Sequence, residues 1–156
     1  MLGSCVLLTL VALASSVASA AGKPTRRTVV VPAKTPFDVR LATAVSSESN
    51  RPDDPVLATL ATPVIVDGVI VAPVASVLLG NVFVADGSAS SGDTRKIALR
   101  FDRLRVGPMT YDIRTAPVRI SNDDDARDDD NLRLSSGTRL RLELLEPVSI
   151  EVQRLR

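Results

Sequence analysis

Two β-branched triplets, Val64-Ile65-Val66 and Val69-Ile70-Val71, stand on either side of Asp67-Gly68, and this arrangement leaves the backbone few choices. A two-residue hairpin whose twist matches its strands needs positive φ at both central residues, which Asp-Gly accepts readily. The spacing predicts a hairpin over 64–71. The same extended habit runs through the rest of the chain. Phe37, Val39 and Leu41 alternate with Asp38 and Arg40, the period of a half-buried strand. Val77 to Val84 reads as a further strand, with a bulge at Gly80. Lys96 to Val106 alternates through Ile97, Leu99, Phe101 and Leu104, Gly107-Pro108 turns the chain, and Thr110 to Ile120 reads as the next strand. Leu140, Leu142 and Leu144 alternate with Arg139, Arg141 and Glu143, and Val148 to Val152 follows Pro147. No segment carries a helical apolar period, and ten prolines and eight glycines punctuate the chain. The expectation is an all-β fold: a small single-domain β-barrel or sandwich of about seven to nine strands.

Between the strands lie three polar tracts that read as loops, Ser46 to Pro55, Asp86 to Thr94 and Ser121 to Asn131. Charge is segregated around the last. Thr94 to Arg119 carries seven bases and two acids, whereas Ser121 to Asn131 carries six aspartates and one arginine, Arg127. A weak internal repeat is also visible. Thr35 to Ser46 aligns without a gap on Thr138 to Ser149, matching Thr35 with Thr138, Leu41 with Leu144, Val45 with Val148 and Ser46 with Ser149. A shorter version begins at Ala72-Pro73. Duplication of a turn-and-strand unit accounts for the match, as does the general likeness of amphipathic strands that follow a turn.

The N-terminus sets the compartment. Leu7 to Val17 is an apolar run of signal-peptide length and Ala18-Ser19-Ala20 places small residues before the cleavage point. Residues 1–20 are expected to form a signal helix that is removed after Ala20, with 21–27 a flexible N-terminus and 28–156 one β domain carrying an acidic loop at 121–131. Met1 to Cys5 holds no Lys or Arg, which leaves the terminal amine as the positive end or places the true start upstream. The run is too short to span a bilayer, which takes about 20 apolar residues. The mature chain is therefore expected to be exported, periplasmic or secreted, with no transmembrane span after signal cleavage. Cys5, the one cysteine, precedes the apolar run, so it leaves with the signal and is misplaced for lipid attachment. The mature protein is expected to hold no thiol and no disulfide.

Composition then removes chemistries. Nineteen bases against eighteen acids give no excess cation for neutralising phosphates, so nucleic acid is not an expected partner. With no histidine the usual base near neutral pH is absent, and a Ser-His-Asp triad cannot be assembled. Lys23, Lys34 and Lys96 are the available bases for a Ser-Lys pair, and no serine motif points at them. A glycosidase-type carboxylate pair drawn from Asp53, Asp54, Asp102 or Asp112 would lack aromatic platforms in a chain with no Trp, one Tyr and three Phe. Neither a catalyst nor a cofactor is expected.

Two charged constellations remain. Asp123, Asp125, Asp128 and Asp130 are the candidate metal ligands within the acidic cluster, yet no glycine turns it and no glutamate closes it, so the calcium-loop spacing is not met. A solvated, mutually repelling loop accounts for it. Arg100, Arg103 and Arg105, with Asp102 among them, are the candidate partner-binding residues. They read either as the wet side of a strand compensated by the acidic loop, or as a patch for an anionic partner such as phospholipid headgroups or acidic envelope polymers.

Several of these segments carry a family likeness. Val31-Pro32-Ala33-Lys34-Thr35, Val39-Arg40-Leu41, Thr43-Ala44, Ser46-Ser47, Asp54-Pro55-Val56, Pro63-Val64, Val66-Asp67-Gly68, Gly80 and Leu99-Arg100-Phe101-Asp102-Arg103-Leu104 resemble the periplasmic β-barrel domain of TrbI-like conjugative-transfer scaffolds. They are more similar still to small exported bacterial proteins that carry that module alone. The resemblance, spanning Val30 to Val118, implies a β-barrel of the cell envelope that acts by protein contacts without catalytic residues. The family has glycine where this chain has Lys34, and a Pro-x-Gly turn where it has Pro73-Val74-Ala75; positive φ at either position would strain the backbone. The transmembrane helix and Pro-rich linker of the full scaffolds are not found. The expected function is that of a non-catalytic structural or protein-binding envelope module, its partner an envelope protein that joins a sheet edge or the charged loops. The alternatives are a carrier of a small hydrophobe inside a barrel and a hydrolase of an envelope polymer.

Overall fold

The computed structural model describes residues 26–86, 96–121 and 132–153. The signal segment 1–20 with Cys5, residues 21–25 and the cluster containing Asp123, Asp125, Asp128 and Asp130 lie outside the described residues. Among the described residues there are thirteen strands and no helix: β1 (Arg26–Val31), β2 (Pro36–Leu41), β3 (Val45–Ser46), β4 (Pro55–Leu60), β5 (Val64–Val66), β6 (Val69–Ala72), β7 (Val77–Asp86), β8 (Lys96–Val106), β9 (Met109–Asp112), β10 (Val118–Ser121), β11 (Arg133–Leu134), β12 (Arg139–Glu143) and β13 (Val148–Gln153).

The all-β expectation holds, with more and shorter strands than expected. β3 and β11 span two residues each, too few for alternation to register. Thr110 to Ile120 is not one strand but two, β9 and β10, separated where Ile113 and Thr115 turn inward and Pro117, which has no N–H to offer a ladder, precedes β10. At the other end, Arg26 and Arg27 belong to β1, where they pair with Gln153 and Val152 of β13, so the ordered sheet starts before residue 28.

Every pairing is antiparallel. The large sheet runs β10-β8-β7-β4-β2-β12 with β9 also on β8, and β1-β13, β5-β6 and β11-β3 are separate two-stranded sheets. These sheets do not close into a barrel, which removes one of the two expected architectures. The two ends of the large sheet meet only locally: Thr115 bridges Leu144, the Ala116 N–H donates to the Glu143 carbonyl at 2.8 Å, and the Leu145 N–H donates to the Arg114 carbonyl at 2.8 Å. Inward residues of the large sheet, among them Phe37, Leu60, Leu78, Phe101 and Leu142, meet Val31 of β1, Val71 of β6 and Ile150 of β13 in a single apolar cluster. The Asp67-Gly68 hairpin forms as its sequence requires, with φ of 50° and 74° at the two residues.

One local device is used four times. Before β2, β4, β7 and β12 stand the turns Pro32-Ala33-Lys34-Thr35, Arg51-Pro52-Asp53-Asp54, Pro73-Val74-Ala75-Ser76 and Ser135-Ser136-Gly137-Thr138. The third residue of each has positive φ, 65°, 71°, 68° and 90° in order, the mark of a type II turn. In three of them the fourth residue's hydroxyl donates back to the first carbonyl, at 2.7 Å for Thr35, Ser76 and Thr138 alike; in the other, Asp54 Oδ2 instead accepts from the Arg51 N–H at 2.9 Å. Each turn then clasps a neighbouring strand. The N–H groups of Lys34, Asp53, Ala75 and Gly137 donate to the carbonyls of Leu144, Val82, Leu60 and Leu41. Those same four residues return their own N–H to the carbonyls of Thr35, Asp54, Ser76 and Thr138. The clasps are reciprocal: β2 with β12, and β4 with β7. The alignment of Thr35 to Ser46 on Thr138 to Ser149 thus reflects two equivalent units, and Pro73 and Arg51 open two more.

Candidate functional site

Where the two ends of the large sheet approach each other, a cleft of about 630 Å³ opens to solvent. Three separated segments build it: Arg100 to Arg103 from β8, Asp112 to Thr115 leaving β9, and Leu145 to Val148 entering β13. The β8 contribution depends on a bulge. Leu79 pairs with Arg103 but the next residue, Gly80, pairs with Phe101, so Asp102 is the extra residue of the ladder. That step sends Phe101 into the core, fully buried, and leaves Asp102 and Arg103 on the rim.

Gly80 is what allows it. A Cβ there would collide with the Arg100 carbonyl oxygen and lie 2.8 Å from the Phe101 Cα. The floor is held by Thr115, whose buried hydroxyl accepts from the Phe101 N–H at 3.0 Å and donates to the Phe101 carbonyl at 3.1 Å. A side chain therefore completes the β8 ladder where no strand reaches it.

The rim is charged in both signs. Arg103 pairs with Asp102 at 3.4 Å, and Arg114 pairs with Glu146 at 3.4 Å. Asp112 stands opposite Arg103 in the β8-β9 register, and Arg100 stacks over Phe83 with its guanidinium 5.1 Å from the ring centroid. The four members of the two ion pairs keep between 45% and 72% of their side-chain surface exposed. Pairs this wet contribute about 0–1 kcal/mol to folding, so each can exchange its partner for a group on another molecule at little loss.

Of the three arginines singled out in the sequence, Arg100 and Arg103 line the cleft, whereas Arg105 lies on the outward face of β8 between Val77 and Thr110. Asp112, Arg114, Thr115 and Glu146 were not among the partner-binding candidates. Alternation runs on through Asp112-Ile113-Arg114-Thr115 and lapses only at Ala116-Pro117, and the available signal was a hydroxyl, Thr115, at an inward position of that pattern. Asp53 and Asp54, grouped with Asp102 and Asp112 as candidate carboxylates, sit apart from the cleft in the turn before β4, where Asp54 is occupied by hydrogen bonds from the Arg51 N–H and the Asn50 amide. Among the described residues no group of three or more His, Cys, Asp or Glu side chains is placed to hold a metal ion. Among the described residues there is no helix long and apolar enough to cross a membrane. No protein-family model and no curated protein matches this chain.

Proposed function

We propose that this protein is a non-catalytic, exported module of the bacterial envelope that works through protein contacts, and that the charged cleft is its contact surface. The observation that carries the reading is the cleft's makeup: three arginines and three acids around an apolar floor, with both ion pairs exposed and exchangeable. A charged segment of a partner can displace Asp102 from Arg103, or Glu146 from Arg114, and set its own groups in their place. The likeness to the stand-alone TrbI-like module and the signal-like first twenty residues supply the compartment. Carriage of a hydrophobe is less well supported, because Phe37, Phe101 and the buried leucines occupy the interior.

Crosslinking in intact envelopes tests the reading. The wild type is expected to yield one stoichiometric protein adduct, and the charge swap Arg114→Glu with Glu146→Arg, which preserves the internal pair, is expected to lose it. An adduct that survives the swap, or organic extraction that releases a stoichiometric lipid from the purified protein, overturns it.

A further inference from the structure

The cleft lies where an antiparallel seam stops short. At its closed end Thr115 bridges Leu144, with the Ala116 N–H donating to the Glu143 carbonyl and the Leu145 N–H to the Arg114 carbonyl. Carried one step further in the same register, the N–H of residue 147 would donate to the Asp112 carbonyl. Residue 147 is proline, which has no N–H to give. The ladder ends there, and Asp112 and Pro147 both line the cleft.

The two edges beyond that point keep backbone groups aimed across the gap. On β9's side, the Ile113 N–H donates to the Asp102 carbonyl at 2.8 Å, so the N–H and carbonyl of Asp112, next along the chain, point away from β8. On β13, the Glu151 N–H donates to the Tyr111 hydroxyl at 3.1 Å, and that hydroxyl donates to the Glu151 carbonyl at 3.3 Å. Glu151 thus turns its backbone groups away from β1 and toward β9, and Ser149, two residues back, turns its own the same way. Asp112 and Ser149 are both exposed, and no described group meets these edge donors and acceptors. Direct pairing would bring the two strands to about 4.8 Å. Here the side chain of Tyr111, packed against the core, stands between them, so the gap is wider than one ladder.

We propose that the seam takes an extended segment of the partner protein, paired main chain to main chain with Asp112 at one edge and Ser149 of β13 at the other. The proposal rests on the protein-contact reading of the cleft and specifies how the partner is held. Each edge offers an N–H and a carbonyl to the same gap. A phosphate or carboxylate supplies acceptors only and would leave both carbonyls unmet, whereas an extended peptide supplies donors and acceptors in alternation, to one side and the other. The edges run in opposite directions, so the segment is antiparallel to one and parallel to the other. Its side chains reach the rim, where Arg103 and Arg114 hold exchangeable partners.

A peptide selected from a displayed random library on the purified protein tests this. On its binding, hydrogen exchange at the Asp112 and Ser149 amides is expected to slow by about tenfold or more, while Ile150, already in the ladder with Val29, stays unchanged. An ester in place of a peptide amide keeps the side chain and removes the donor; at positions within the seam it is expected to weaken binding by about tenfold. If no selected peptide slows exchange at Asp112 and Ser149, the proposal is overturned. A peptide that tolerates the ester at every position, yet is lost on the swap Arg114→Glu with Glu146→Arg, is held by side chains alone; that result overturns strand pairing and leaves the protein-contact reading standing. Failure of the protein-contact reading shows instead as an envelope adduct that survives the swap. Slow exchange at both amides in the free protein, together with a dimer in sedimentation, assigns the seam to a second copy and overturns the proposal too.

Discussion

Replacing Gly80 with alanine asks whether the β7-β8 bulge is a built feature of the cleft. The added methyl would strike the Arg100–Phe101 peptide unit of β8: the Arg100 carbonyl oxygen, the Arg100 carbonyl carbon at 2.9 Å and the Phe101 Cα at 2.8 Å. None of these is the free end of a side chain that could swing away. Restoring ordinary carbon–carbon separation of about 3.5–4.0 Å requires β7 and β8 to part by roughly 1 Å where Phe101 is buried.

Overpacking of a tight interior is destabilising by about 1–3 kcal/mol, and weakening one or two ladder hydrogen bonds adds about 1 kcal/mol each. The expected loss is about 3–4 kcal/mol, a large fraction of the roughly 5–15 kcal/mol that holds an ordinary domain folded. Urea unfolding followed by far-ultraviolet circular dichroism measures it. With a slope of about 1.5 kcal/mol per molar, the midpoint should fall by about 2 M. Gly107→Ala is the control: its Cβ would meet nothing within 4 Å, and its φ of 58° limits the loss to about 1–2 kcal/mol. A Gly80→Ala midpoint as high as that of Gly107→Ala would refute the reasoning.

Two further outcomes follow from the same backbone. Lys34→Gly and Ala75→Gly relieve positive φ at a non-glycine residue, a gain of about 1–2 kcal/mol offset by about 0.4–1 kcal/mol of extra unfolded-chain entropy. Each variant should be more stable by about 0.5–1 kcal/mol in thermal melts, and Gly137→Ala less stable by a similar amount. Thr115→Val removes the hydroxyl that accepts from the Phe101 N–H, while the Phe101 carbonyl keeps the Thr115 N–H at 3.3 Å; leaving that one buried donor unmet should destabilise the fold by about 1–2 kcal/mol, read as a lower urea midpoint with an unchanged slope.

Legibility tracked distance along the chain. The 64–71 hairpin, β8 and β12 could be read directly, because alternation and an Asp-Gly turn are decided by neighbours within a few residues. β1 went unrecognised as a strand because Val29-Val30-Val31 is an unbroken apolar run, although only Val30 of the three faces outward, at 55% exposure. The cleft was half legible. Arg100 and Arg103 stood out in a basic stretch, but Arg114 and Glu146 are 32 residues apart, and no local pattern links them.

Taken alone, the order of residues determined that the chain is extended, which side chains of each long strand are inward, and where the tight turns fall, since side-chain direction in a strand depends only on parity. Folding in three dimensions decided the rest. It chose which strand lies beside which, kept the sheets from closing into a barrel, and imposed left-handed backbone on Lys34, Asp53 and Ala75. Each of those residues is held there by a carbonyl from a partner strand, and such contacts exist only once distant segments have met.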